Sequence, residues 1–230
     1  MIRILHGVSS RRDGNMALHT GDDVETVVDN RKRFLESFSL NIQNLVCLNQ
    51  THSSNIQIIT SADSGKGAFT QDSALHDSDA AITNKAGVIL SIMTADCVPV
   101  ILIDEANGVI AAIHAGWKGT AAKISSKCAL EMISRFGSKA ENIKARILPS
   151  IGSCCYEVGS ETASLCGCEG ENRLDLKKIN AKHLIEVGLL TTNIEISDKC
   201  TSCNNEEYFS YRAENGTIGR FMSFVVIAEK

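Results

Sequence analysis

Three apolar runs, GVILSIMT, VPVILID and VIAAIH, follow one another almost without interruption between residues 87 and 114. They lack the alternation of a strand with one wet face, so each reads as a strand buried on both sides. ADC separates the first two runs, and a turn at Asn107-Gly108 leads into the third. The three strands are consecutive and are expected to lie side by side. The rest of the chain supplies the covering elements. Residues 22–38 space Val24, Val27, Val28, Phe34, Leu35 and Phe38 as a helix with acids in its first turn. LVCLN (45–49) and NIQIIT (55–60) read as strands, joined by QTHSS, which carries His52 into a turn. The polar stretch 61–79 predicts a mobile loop. A helix is expected over 120–136, with Thr120 as N-cap and Gly137 closing it. A strand over 142–148, a helix over 175–187 before Gly188, and a strand over 223–229 complete the set. Strands and helices alternate with no linker, which predicts one α/β domain over 1–230.

Charge and composition narrow the function. Lys+Arg 23 against Asp+Glu 27 gives a net charge of -4, which offers no bulk attraction to nucleic acid or anionic lipid. The longest apolar stretch is interrupted by Asp96, so no membrane span is expected. The first residues are too short an apolar segment for a secretory signal. A soluble, cytoplasmic chain is therefore expected, with its 9 Cys reduced. The 6 His exclude a four-copper oxidase, which needs about ten imidazole ligands.

Chemistry concentrates at strand ends and turns. His52 in NQTHSS, Cys97 in TADCVP and His114 in IHAGWKGT can converge if the central strands are neighbours. Two neutral imidazoles and a thiolate would hold one zinc ion with a coordination position left open, able to lower the pKa of a bound water towards about 7. A structural site would close with four protein ligands. Two other readings of the same residues stay open: buried packing side chains, or a metal-free pair with Cys97 as nucleophile, His114 as base and Asp96 orienting the imidazole.

Other candidates surround this set. Gly116 and Gly119 let backbone approach a ligand, and Lys118 adds a charge at the following helix N-terminus, where an anion such as phosphate could settle. Arg212 and Arg220, with Tyr208, Phe209 and Tyr211, suit a purine and its phosphate or ribose oxygens; Arg11 is a further cation. Cys166-x-Cys168 and Cys200-x-x-Cys203 could together make a four-thiolate zinc site. Cys154 and Cys155 read as packing residues.

Taken in order, GVSSRRDG, GDDVETVVDNR, NQTHSSNI, DSDAAIT, TADCVPVIL, HAGWKGT, PSIGSCCYEVG and CTSC…FSYR…GTIGR resemble the YfiH/YlmD-like laccase-domain family over nearly the whole chain. TADCVP with HAGWKGT is the most specific pair. The resemblance implies a single α/β/β/α layered domain with mixed sheets, and metal ligands at His52, Cys97 and His114. It also implies phosphorolysis of adenosine, inosine and methylthioadenosine together with adenosine deamination, with purine nucleosides and phosphate as partners. Lys118 stands where the family usually has Arg, and Ala213 where it has a second Arg. Asp13 and Leu148 each replace a Gly, and the segment after Asn15 is shortened.

Competing readings make different demands on the same site. A hydrolase editing peptidoglycan precursors would use the zinc water or Cys97. A copper phenol oxidase would need partner coppers that one His₂Cys site does not supply. A zinc-stabilised binding module would need the ion for folding alone. The oligomeric state is left open.

Overall fold

The structure is a computed structural model that describes residues 3–216 and 219–228. Thr217 and Ile218 of the GTIGR motif, and Glu229 at the end of the predicted last strand, lie outside the described residues.

Two sheets stack face to face. The smaller has the order β1 (Ile4–Val8), β10 (Phe221–Ile227), β5 (Ile89–Thr94), β2 (Leu45–Val46), antiparallel except for the β2–β5 pair. The larger runs β3 (Ile56–Ile58), β4 (Ala80–Thr83), β7 (Val109–Ala115), β6 (Val98–Asp104), β8 (Lys144–Ile147), β9 (Ile194–Ile196), with parallel pairs at both edges. Period-two alternation sorts the side chains of each central strand between two neighbouring layers. On β6 and β7, Ile101, Ile103, Ile110 and Ala112 meet Leu90, Ile92 and Val225 of the smaller sheet. Val98, Val100, Leu102, Ala111 and Ile113 instead face helices α3 (Ile124–Phe136) and α5 (Leu176–Glu186). On the far side, Met222, Phe224 and Val226 of β10 pack against Phe34 and Leu35 of α1 (Val24–Glu36). Phe34, Phe38 and Phe224 close this layer edge-to-face, with ring centroids 5.0–5.8 Å apart. The order helix, sheet, sheet, helix is the α/β/β/α arrangement that the resemblance implies. Burial of β5, β6, β7 and β10 along their whole lengths follows from it.

Three local expectations are corrected. The strands of 87–94 and 98–104 do not pair: β5 belongs to the smaller sheet and β6 to the larger. Asp96, at φ +88, turns the chain from one sheet to the other. The strands expected over 45–49 and 55–60 are present as β2 and β3, one in each sheet. The predicted helix over 120–136 is two helices. Helix α2 (Trp117–Ala121) starts earlier, with Gly116 as N-cap, and Lys123, at φ +58, separates it from α3. Thr120 lies buried inside α2, where its hydroxyl accepts from Asn180 Nδ2 at 2.9 Å. Gly137 does close α3, at φ +71.

The stretch 61–79 is packed rather than loose. Buried Arg31 of α1 donates to the carbonyls of Met16, Gly67 and Ala68 at 2.7–2.9 Å. Asp63 accepts from both the amide and the hydroxyl of Thr60. The polar residues of this stretch satisfy its own backbone, which is how a short loop can lie against a core. The remaining short helix, α4 (Ser160–Leu165), seats Ala163 against the α3/α5 layer.

Candidate metal centre

Asp79 organises the centre. It is fully buried and sits just before β4. Its carboxylate accepts the His114 Nδ1 proton at 2.6 Å, the Ser53 amide and hydroxyl at 2.6 and 2.7 Å, and the His52 and Thr51 amides at 3.1 and 3.3 Å. Three successive amides can converge on one carboxylate because His52 adopts the left-handed conformation, φ +60. The turn 51–53 is thus wrapped around the group that also orients His114.

The sheet supplies the other positions. Antiparallel pairing sets Val98 opposite Ala115 and Pro99 opposite His114, so Cys97, one residue before β6, falls beside His114. His114 shares the parity of Ile110 and Ala112 and emerges at the end of the inter-sheet layer. Cys97 Sγ lies 3.8 Å from His52 Nε2, and the His52 and His114 rings meet edge-to-face at 4.9 Å. One donor atom from each of His52, Cys97 and His114 falls within 4.8 Å of the other two. A Cβ on Gly116 would stand 2.9 Å from His52 Cδ2 and 3.1 Å from Cys97 Sγ. Gly116 therefore makes room for the His52 and Cys97 side chains, and Gly119 for the Ser53 carbonyl.

The electrostatics suit a cation. Burial alone would raise the Asp79 carboxyl, but the bonds from His114 and Ser53 outweigh it and hold it at about 2. Burial likewise pushes the Cys97 thiol up, and His114 and His52 overcome this to bring it to about 6. Burial pulls the His114 imidazole down, yet the Cys97 sulfur and the Asp79 carboxylate raise it to about 9. A thiolate, and an imidazole anchored at Nδ1 that would give up its Nε2 proton on binding, are what a borderline-soft metal takes, and an outer carboxylate of this kind fixes ligand orientation. The donor set fits a three-ligand ion with one open side. The expected role of Asp96 is corrected: its carboxylate accepts from Thr201 Oγ1 at 2.6 Å and the Arg212 amide at 2.7 Å, so Asp79 and not Asp96 orients His114.

The triad opens into a cavity of about 480 Å³, within the usual span of small-molecule sites, roughly 300–1,000 Å³. Arg212 and Arg220 line it, as does Tyr211. Trp117, Tyr156, Gln50 and His19 also line it and were not read from the sequence. His19 is drawn below its ordinary value by burial, then by Arg220 and Arg31, which leaves a neutral imidazole at the rim. Two predicted cations fall outside the lining. Lys118 is exposed and lies over the Trp117 ring. Arg11 stacks on Phe209, donates to the Asn205 carbonyl and pairs with Glu214 at 2.5 Å, which commits it to holding the loop. Tyr208 and Phe209 are buried, Tyr208 against Phe221, and only Tyr211 of the three aromatics reaches the cavity.

The predicted pairing of the other thiols is also corrected. Cys166 is buried in the α3/α5 layer, with Sγ 3.8 Å from the Trp117 carbonyl, and Cys168 turns back to the Cys166 carbonyl. Cys200 and Cys203 instead meet Cys154 and Cys155, which are therefore not simple packing residues.

The four-layered α/β fold thus carries a two-histidine, one-cysteine cluster at one end of its inter-sheet layer. The chain belongs to the family described as multi-copper polyphenol oxidoreductase laccase, whose sequence profile matches residues 5–228. Among its relatives is the purine nucleoside phosphorylase YlmD of Geobacillus stearothermophilus, 34% identical over 225 residues, covering 92% of this chain and 82% of the relative. The crystal structure of YlmD from Geobacillus stearothermophilus superposes with a TM-score of 0.95 at 32% identity, covering 98% of this chain and 92% of that one. An adenosine deaminase, RL5, from an unknown prokaryotic organism is 31% identical over 220 residues, covering 90% of this chain and 84% of the relative.

Proposed function

We propose that the chain, acting as one domain over residues 1–230, is a zinc-dependent purine nucleoside phosphorylase for adenosine, inosine and methylthioadenosine that also deaminates adenosine. The observation that carries this reading is the three-ligand set His52, Cys97 and His114, opening into a cavity walled by Trp117, Tyr156, Tyr211, Arg212 and Arg220. Relatives named as a phosphorylase and as a deaminase support it. A zinc ion on the triad would supply a Lewis acid with one open coordination position.

The chain's own groups divide the remaining work. Asp79 keeps His114 in one tautomer and one orientation. Aromatic faces of Trp117, Tyr156 and Tyr211 hold the flat purine. Arg212 donates to the Cys155 and Glu157 carbonyls at 2.9 Å each; of its five N–H groups, three remain to hold phosphate beside Arg220. In phosphorolysis a phosphate oxygen forms its bond to C1′ as the C1′–N9 bond breaks; the pair leaves on N9 and the purine takes up a proton. In deamination, water adds at C6 and ammonia leaves, giving inosine. Among the described residues no helix is long and apolar enough to cross a membrane, and we place the enzyme in the cytoplasm.

Incubating zinc-loaded protein with adenosine tests the proposal. Adenine and ribose 1-phosphate are expected only when phosphate is present, and inosine with or without it. Release of none of these would overturn the reading. Cys97→Ala should abolish both reactions while the folded protein persists; if it instead simply unfolds the chain, the ion serves structure and not chemistry.

A further inference from the structure

A cluster of four thiols lies close in sequence to Ile151 and Tyr156 of the cavity lining. Cys154 and Cys155 come from the loop after β8, and Cys200 and Cys203 from the loop after β9. Their four sulfurs all fall within 4.8 Å of one another, with Cys203 Sγ 3.5 Å from Cys154 Sγ and 3.4 Å from Cys155 Sγ. Four thiolates at about 2.3 Å from a tetrahedral zinc ion are themselves roughly 3.8 Å apart, which matches this crowding. Packing does not account for it, because Cys154 and Cys203 are exposed and Cys155 is half-buried, whereas thiols kept as small hydrophobes are buried. A single disulfide does not account for it either, since Cys203 is shared almost equally between two neighbours.

The surroundings suit a thiolate-held cation. The Gly152 amide donates to Cys200 Sγ at 3.2 Å. A Cβ at Gly152 would stand 3.3 Å from both Cys154 Sγ and Cys200 Cβ, so glycine clears the space in which the sulfurs gather. Arg173 and Arg212 donate to the Cys154 and Cys155 carbonyls at 3.1 and 2.9 Å, setting two guanidinium charges beside what would be a net dianionic centre. Cys200-x-x-Cys203 has the chelate spacing favoured by zinc.

We propose that Cys154, Cys155, Cys200 and Cys203 bind a second zinc ion, closed by four protein ligands and structural in role. Its position gives it a task. Thr201, between two of the ligands, donates to Asp96 and to the Ser150 carbonyl, and Ile151, Tyr156 and Arg212 line the cavity nearby. The ion ties two irregular loops into one wall beside the triad.

Metal analysis of protein purified under reducing conditions tests this. Two zinc ions per chain are expected in the wild type, one in His52→Ala/Cys97→Ala, and one in Cys200→Ser/Cys203→Ser. Because the last variant can fail to fold, His52→Ala/Cys97→Ala is also to be reconstituted with Co²⁺. The intense visible absorption of a four-thiolate tetrahedral cobalt site should appear, and the thiols should resist alkylation until a chelator is added. A single zinc that vanishes in His52→Ala/Cys97→Ala, freely reactive thiols in the folded protein, or a disulfide joining Cys203 to Cys154 or Cys155 would each overturn the proposal.

Discussion

Asp79 shows how much one buried carboxylate can organise. It gathers the 51–53 turn, orients the His114 ring and so places two of the three candidate ligand side chains. Asp79→Asn should weaken metal binding about 10- to 100-fold, the usual cost of losing such an outer partner, measured by competition with a chelator. It should also change acid stability. The carboxyl lies at about 2 in the folded chain against 3.8 ordinarily. Its stabilisation is therefore present above the ordinary value and is lost as pH falls through about 2. This difference is worth about 2 kcal/mol and should be absent from the pH profile of metal-free Asp79→Asn, read by denaturant unfolding. The triad was legible in the sequence because His52, Cys97 and His114 are reactive types placed at turns and strand ends. Asp79 was not: it sits in a polar stretch, and its partner His114 lies 35 residues away. Nothing local tells a buried carboxylate there from the solvated acids around it.

At the scale of elements, apolar runs identified the buried strands and glycine marked helix ends. Gly137 sits at φ +71 with no atom near the place of a Cβ, so its value is conformational alone. Gly137→Ala should cost about 1–2 kcal/mol from left-handed strain, seen as a lower denaturant midpoint with unchanged metal content. Sheet membership was hidden. A strand buried on both faces presents the same sequence whichever sheet it joins, and the switch between β5 and β6 rests on the backbone of Asp96, φ +88. Strain of this kind costs roughly 1–3 kcal/mol. The hydrogen bonds from Thr201 and Arg212 to the Asp96 side chain, and from the Ile151 amide to its carbonyl at 2.9 Å, offset it. The early start of α2 is hidden for a similar reason: Gly116 is an N-cap without a side chain, and Thr120 carries the hydroxyl that usually marks one.

Across the whole molecule, the four layers separate holding the fold together from handling a ligand. Phe224 packs against Phe34 and Phe38 between α1 and the smaller sheet and is absent from the cavity lining. Phe224→Ala should lower global stability by about 3–5 kcal/mol yet leave the zinc content per folded chain unchanged, a contrast that calorimetry and metal analysis can resolve together. The triad hangs from the ends of paired strands and from a turn clasped by Asp79, whereas Ile151, Tyr156, Tyr211 and Arg212 stand on irregular segments. Substitutions in those segments can therefore reshape what the cavity admits while the convergence of His52, Cys97 and His114 is kept.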